Sequence, residues 1–217
     1  MRGQGMPPEN TVEAFERAIA DGADGVELDV RLTRDGHVVV LHDPTLARVA
    51  GDPRGVHAID LASLPRLAGG QRIPTLADAL DACRGRIVNV ELKSDVPDRR
   101  SLARAAVRVV RAAPRSTIVW SSFHPMLVLA TAVLDPRSER AILVGGRTRR
   151  LGTALPLAMR RMVTAAHLED AIATAPRLAR LARAGLRLVA WTVNDPARAR
   201  ALVRDGIAWI ITDRPAE

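Results

Sequence analysis

Tyrosine is absent from this chain, phenylalanine occurs twice and tryptophan three times, so aromatics make up only 2% of its 217 residues. The core must therefore be filled by aliphatic side chains and alanine, within a hydrophobic content of 47% that is ordinary for a globular protein. The same scarcity speaks against a nucleic-acid surface. The net charge is +8, nearly all of it arginine, but nucleic-acid binders cluster basic residues with stacking aromatics or a known motif, and neither is present. Arg104, Arg108 and Arg111 instead recur along one face of a helical pattern. That describes a solvated surface, whose positive field also draws anionic substrates.

Long hydrophobic runs are missing too. Stretches such as 207–212 fall far short of the ~20 residues that span a bilayer, and the N-terminus shows neither the charged nor the apolar region of a secretory signal. The single cysteine, Cys83, excludes an internal disulfide and suits a reducing cytosol. No Cys or His stands near it at metal-ligand spacing, so it reads as a partly buried helix thiol. Together these absences imply a cytoplasmic chain without membrane insertion.

No linker or low-complexity tract divides the chain, and its length fits one domain over residues 1–217. Short β-branched runs alternate with helical patterns. Strands are expected at 25–30, 87–92, 117–122, 141–144, 161–165, 186–192 and 208–212, and helices at 12–21, 76–83, 101–112, 125–133, 168–184 and 196–205. The first helix has an apolar stripe of Val12, Phe15 and Ile19, with Asn10 at the N-cap position, Glu13 three residues on, and Gly22 as its terminator. No Gly-x-Gly-x-x-Gly follows the first strand, and charged residues recur at strand ends. Both points favour a TIM-type (β/α)8 barrel, with its site at the C-terminal face, over a doubly wound sheet. About seven barrel strands are legible, because nothing precedes Arg2-Gly3 where a first strand belongs.

Glu27 and Asp29 lie two apart in a strand, so both carboxylates point to one face. On an interior barrel face an unpartnered pair is costly, and a hard divalent cation, Mg2+ or Ca2+, is the simplest neutraliser. The alternative is a set of salt bridges or an exposed strand end. Asp35-Gly36 then reads as a two-residue hairpin turn, which pairs Arg34 with His37 and sets Asp29 opposite His42. His37 and His57 have no acidic company and read as surface residues. On the strand 87–92 the pattern recurs, with Asn89, Glu91 and Lys93 sharing a face. Glu91 offers a third ligand, and Lys93 a counter-charge for an anionic oxygen. Three inward carboxylates, a His and a Lys point to metal-assisted chemistry on a phosphate ester.

These residues resemble the glycerophosphodiester phosphodiesterase family along almost the whole chain. The likeness is carried by Arg2-Gly3, Pro8–Thr11, Gly22–Val30, Leu32–Gly36, Leu41–Leu46, Ile73–Leu76, Val90–Lys93, Ser121–Phe123, Trp191–Asn194 and Gly206–Pro215. It implies a TIM-type barrel with an extra hairpin, hydrolysis of a small-molecule phosphodiester, and one bound Mg2+ or Ca2+ held by Glu27, Asp29 and Glu91. It further implies Arg2 and Lys93 on the phosphate, Glu9 beside the site and Trp191 lining it, with Ser122, Phe123 and Asn194 at the rim. His42 matches one of two acid–base histidines. The other belongs immediately before Arg2, where this sequence has Met1, and the chain as written is expected to turn over weakly. Three explanations compete: a start that lies upstream, a homologue that binds without efficient turnover, or substitution by His124.

Overall fold

The first helix, α1 (Val12–Ala20), takes its cap from Thr11 and not from Asn10: the Thr11 hydroxyl accepts the Ala14 N–H at 3.2 Å and donates to the Pro8 carbonyl at 2.7 Å. Asn10 stands outside the helix with φ at +58°, a left-handed conformation that Asn tolerates better than most residues. The expected apolar stripe is present, with Phe15 buried, and Gly22, at φ +98°, ends the helix in the way its position suggests.

The computed structural model describes residues 7–113, 116–146 and 162–215, and the chain divides into two units, one running to Ile118 and the other from Val119. In the first unit α1 is followed by β1 (Gly25–Leu32), β2 (Val38–Val40), β3 (Thr45–Leu46), α2 (Ala47–Ala50), β4 (Asp52–Gly55), α3 (Leu76–Ala82), β5 (Ile87–Leu92) and α4 (Arg99–Ala112). β1 runs parallel to β5 and antiparallel to β2. Gly25 makes the close approach of β1 to β5 possible, since a Cβ there would lie 2.3 Å from the Ile87 carbonyl oxygen. Leu28, Val30, Val88, Val90 and Leu92 are all buried, as befits a strand pair covered on both faces. A satellite cluster of Val39, Leu41, Leu46, Val56, Ile59, Leu67 and Ile73 packs the segment between the hairpin and α3. Cys83 caps α3 fully buried, and burial pushes its thiol up to about 11.

The hairpin register differs from the expected one by a residue. Val30 pairs with Val40 and Leu32 with Val38, which brings Leu41 and not His42 beside Asp29; the Leu41 N–H donates to the Asp29 carbonyl at 2.9 Å. The turn holds three residues, Arg34, Asp35 and Gly36, closed by the Thr33 N–H on the His37 carbonyl at 2.9 Å, with Gly36 left-handed at φ +83°. Asp35-Gly36 on its own favours a two-residue loop. Here the Thr33 hydroxyl overrides it, donating to Asp35 at 2.6 Å and accepting the His37 N–H at 2.9 Å.

In the second unit β6 (Thr117–Ser122, whose first two residues precede the division), α5 (Pro125–Leu134), β7 (Glu139–Val144), β8 (Ala165–Glu169), α6 (Ala175–Arg183), β9 (Arg187–Trp191), α7 (Pro196–Arg204) and β10 (Trp209–Ile210) follow in order. β6 to β10 pair in sequence, all parallel. The strand expected at 161–165 lies at Ala165–Glu169, and the helix expected from Leu168 begins only at Ala175, after a 3-10 turn. Leu168 is fully buried and paired with Ala190, so it belongs to the sheet. Around it lies an aliphatic core including Ile142, Val144, Leu178, Leu188 and Leu202, filled as the lack of aromatics requires. Among the described residues no helix is long and apolar enough to cross a membrane.

Candidate active site

β1 and β5 lie in register, Glu27 beside Asn89 and Asp29 beside Glu91. Because side chains alternate along a strand, 27, 29, 31, 89, 91 and 93 share one face. Oxygen atoms of Glu27, Asp29 and Glu91 all come within 4.8 Å of one another. Lys93 reaches into this group, its Nζ 3.2 Å from Asp29 Oδ1 and 3.0 Å from Glu91 Oε1, with 11% of its side chain exposed.

The electrostatics follow from crowding three acids on one cation. Burial raises the Glu27 carboxyl well above its ordinary range, and the neighbouring Asp29 and Glu91 charges add to the rise. Burial also raises Glu91, with Lys93 pulling the other way. For Lys93 burial disfavours the charge, yet Asp29 and Glu91 together outweigh it and hold the ammonium above the ordinary lysine value. The group keeps an excess of negative charge and a set of hard oxygen donors, which fits one divalent cation of the Mg2+ or Ca2+ kind.

Asn10, which sequence reasoning spent on a helix cap, is part of this site. Its Nδ2 donates to Asp29 Oδ2 at 3.0 Å, and its Oδ1 accepts the Asp29 N–H at 3.3 Å. Arg31 is a second omission. Its side chain is buried, and its guanidinium donates to the His42 carbonyl at 3.1 and 2.7 Å and to Asp95. The signal was available, since Arg31 continues the inward series of Glu27 and Asp29.

His42 itself is about half exposed, with Nδ1 2.7 Å from Asp43 Oδ1. It lines a small recess together with Glu9 and Asn10. Arg48 clamps the entrance, its Nε on Asp43 at 2.6 Å and its Nη2 on Glu9 at 2.5 Å. The Arg48 bond, and to a lesser degree His42, holds the Asp43 carboxyl down at about 2 against the opposing effect of burial.

The remaining expected residues belong to the second unit or lie outside the described residues. Arg2 lies outside the described residues. Trp191 belongs to the second unit, where its Nε1 donates to the His167 carbonyl at 3.0 Å and its ring meets Phe123 edge to face. Ser122 is fully buried and its hydroxyl accepts the His124 N–H at 3.1 Å. Asn194 ties down the C-terminal segment, bonding Thr212 and Asp213. His124, weighed above as a substitute acid or base, caps α5 by accepting the Met126 N–H on Nδ1 at 3.2 Å.

Comparison with known proteins identifies the family and the fold. The model of the glycerophosphoryl diester phosphodiesterase family matches residues 2–217. A glycerophosphodiester phosphodiesterase from Caldanaerobacter subterraneus subsp. tengcongensis is 30% identical over 222 residues, covering 96% of this chain and 89% of that protein. Among solved structures, an Oleispira antarctica phosphodiesterase in complex with the product sn-glycerol-3-phosphate superposes with a TM-score of 0.86 at 25% identity, over 98% of this chain and 90% of the other. The glycerophosphodiester phosphodiesterase of Thermotoga maritima gives 0.77 at 27% identity, over 97% and 90%. The α/β fold of TIM type expected from the alternating elements is thereby shown.

Proposed function

Because this chain belongs to the glycerophosphoryl diester phosphodiesterase family, a group of phosphoric diester hydrolases, we propose that it hydrolyses a small glycerophosphodiester to glycerol 3-phosphate and an alcohol. The observation that supports this best is the convergence of Glu27, Asp29 and Glu91 around Lys93. Those three carboxylates would hold Mg2+ or Ca2+, which when bound neutralises phosphate oxygens and makes the attacking oxygen easier to deprotonate. Lys93, released from part of its ion pairing, stabilises charge building on the phosphoryl oxygens, with Arg2 as its partner in the sequence. His42 moves a proton at the attacking or leaving oxygen, its ring oriented by Asp43 and its backbone by Arg31. Glu9, held by Arg48, shapes the recess on the His42 side.

The test is release of glycerol 3-phosphate from glycerophosphocholine or glycerophosphoethanolamine in Mg2+, in Ca2+ and in a chelator. The 217-residue chain is assayed beside one with a His immediately before Arg2. Metal-dependent release that is weak in the first and strong in the second is expected. Cation and diester binding without release from either would support the second reading, a homologue that binds without efficient turnover. Release undiminished by chelation would remove the cation from the account.

A further inference from the structure

In the first unit α3 packs between α1 and α4, and with the loop 66–74 these helices bound an open groove of about 1260 Å³. Small-molecule sites are usually more enclosed and hold about 300–1,000 Å³. An open groove of this size suits another polypeptide better. Its apolar lining is small, with Ala82, Val109 and Ala112 among it, so the space is not filled from within. None of the residues placed above on the metal or the phosphate lines it.

The charge along the groove is uneven. Glu13 and Glu16 on α1, with Asp78 and Asp81 on α3, line the helix side. Asp78 is fixed by the α3 capping box, accepting the Thr75 N–H at 2.9 Å and its hydroxyl at 2.7 Å. Asp81 is paired with Arg84. Glu13 and Glu16 have no cationic partner among the described residues. The loop side carries Arg66 and Arg72, with Arg66 turned back onto the Gly70 carbonyl at 2.9 Å. Gln71 lies there too, its side-chain oxygen buried without a donor. The negative excess therefore sits on the helix side, in a chain whose net charge is +8.

The complement to this groove lies beside it. Arg104 and Arg108, one turn apart on the exposed face of α4, have no acidic partner among the described residues. Neither lines the groove; at 3.6 residues per turn they sit roughly 100–140° around the helix from Val109, which does. A guanidinium supplies five donors and no acceptor, which is what two unpaired carboxylates lack. Acidic groove and basic stripe are thus neighbours that face different ways. A two-fold axis between them would bring the stripe of each copy into the groove of the other, so that the same contact is made twice. Net repulsion between two copies is screened beyond about 8 Å at physiological salt, whereas ion pairs inside the groove are much closer. An unrelated basic peptide would match the groove alone; a second copy also satisfies the arginines next to it. We propose that this surface is a homodimer interface, in which Arg104 and Arg108 of one copy enter the groove of a second copy against its Glu13 and Glu16, and reciprocally.

The test is independent of the hydrolase reading. Light scattering on the full chain at physiological salt, through the micromolar range, should give twice the 23.4 kDa chain mass. Glu13→Lys with Glu16→Lys, and separately Arg104→Glu with Arg108→Glu, should each weaken association by about 100-fold or more, because like charges then meet at both contacts. Mixing the two reversed chains should restore the doubled mass, since each finds its opposite in the other. Thermal melts check that the variants fold; should the acid-side variant fail to fold, the arginine-side variant decides the matter alone. A native chain that stays monomeric overturns the proposal, even if its groove binds an oligo-arginine peptide. A dimer that survives reversal of either side, or two folded reversed chains that do not associate on mixing, overturns it equally.

Discussion

Asn10 grips Asp29 at two points, through its side-chain amide on the carboxylate at 3.0 Å and through its carbonyl on the Asp29 backbone N–H at 3.3 Å. The left-handed backbone at Asn10 makes this reach possible. Asn10→Gly keeps that conformation accessible and removes only the clamp. It is expected to fold normally and to bind Mg2+ or Ca2+ about 10- to 100-fold more weakly, the usual cost of losing a partner behind a metal ligand. Calorimetry on the folded variant checks this, and native-like affinity would show that Asp29 is held without Asn10.

Lys93 is the chain's only lysine, and it sits against Asp29 and Glu91 with 11% of its side chain exposed. Replacing it by Met leaves three clustered carboxylates with no nearby ammonium. Removing one partner of a buried ion pair costs about 3–5 kcal/mol, so Lys93→Met should melt well below the native chain in a chelator. Added Mg2+ or Ca2+ should restore much of the loss, because the cation takes over the neutralising role. Thermal melts with and without the cation decide the point; equal melting temperatures in chelator would contradict it.

Glu27 and Glu91 make the opposite contribution to stability. Their carboxyls are raised in the folded chain, so between the ordinary carboxylate pKa and the raised value the native state holds more protons than the unfolded one. Stability therefore falls as pH climbs through that window in the absence of a divalent cation. Glu27→Gln removes the larger part of this effect. It should be more stable than the native chain at neutral pH, with a flatter dependence, while losing affinity for the cation. Urea titrations between about pH 4 and about pH 8 would show the crossing of the two curves.

The parts of this site that were legible in the sequence are those fixed by strand periodicity alone. The pair Glu27 and Asp29, and the series Asn89, Glu91 and Lys93, follow from alternation on two buried strands, and β5 was bounded correctly because the β-branched Ile87, Val88 and Val90 mark the stretch Ile87–Leu92. What was misread lay where side chains compete for the backbone. Thr11 and Asn10 both suit a helix cap, and only the tertiary bond to Asp29 decides between them. Thr33 turned an apparent two-residue hairpin into a three-residue one and shifted His42 by a position. β8 was displaced because Ala165-Ala-His-Leu-Glu169 has no β-branched residue to mark it.

The shift in register bears on how His42 works. It no longer faces Asp29 across the hairpin, and its ring is held instead by Asp43, which Arg48 holds in turn. Asp43 stays ionised down to about pH 2, so at any working pH it fixes one ring nitrogen and leaves the other for proton transfer. His42→Ala should lower kcat by about 10²–10⁴-fold, as expected for loss of a general acid or base. Asp43→Asn should lower kcat by less, with KM little changed, because the ring remains but its direction is lost. A stability effect has the ordinary acid sign: the Asp43 contribution is present above the usual carboxylate range and disappears as pH falls towards about 2. It is small at this half-exposed ion pair. If Asp43→Asn keeps the native kcat, His42 is oriented by its backbone bond to Arg31 alone, and Arg31→Met becomes the substitution that should abolish turnover.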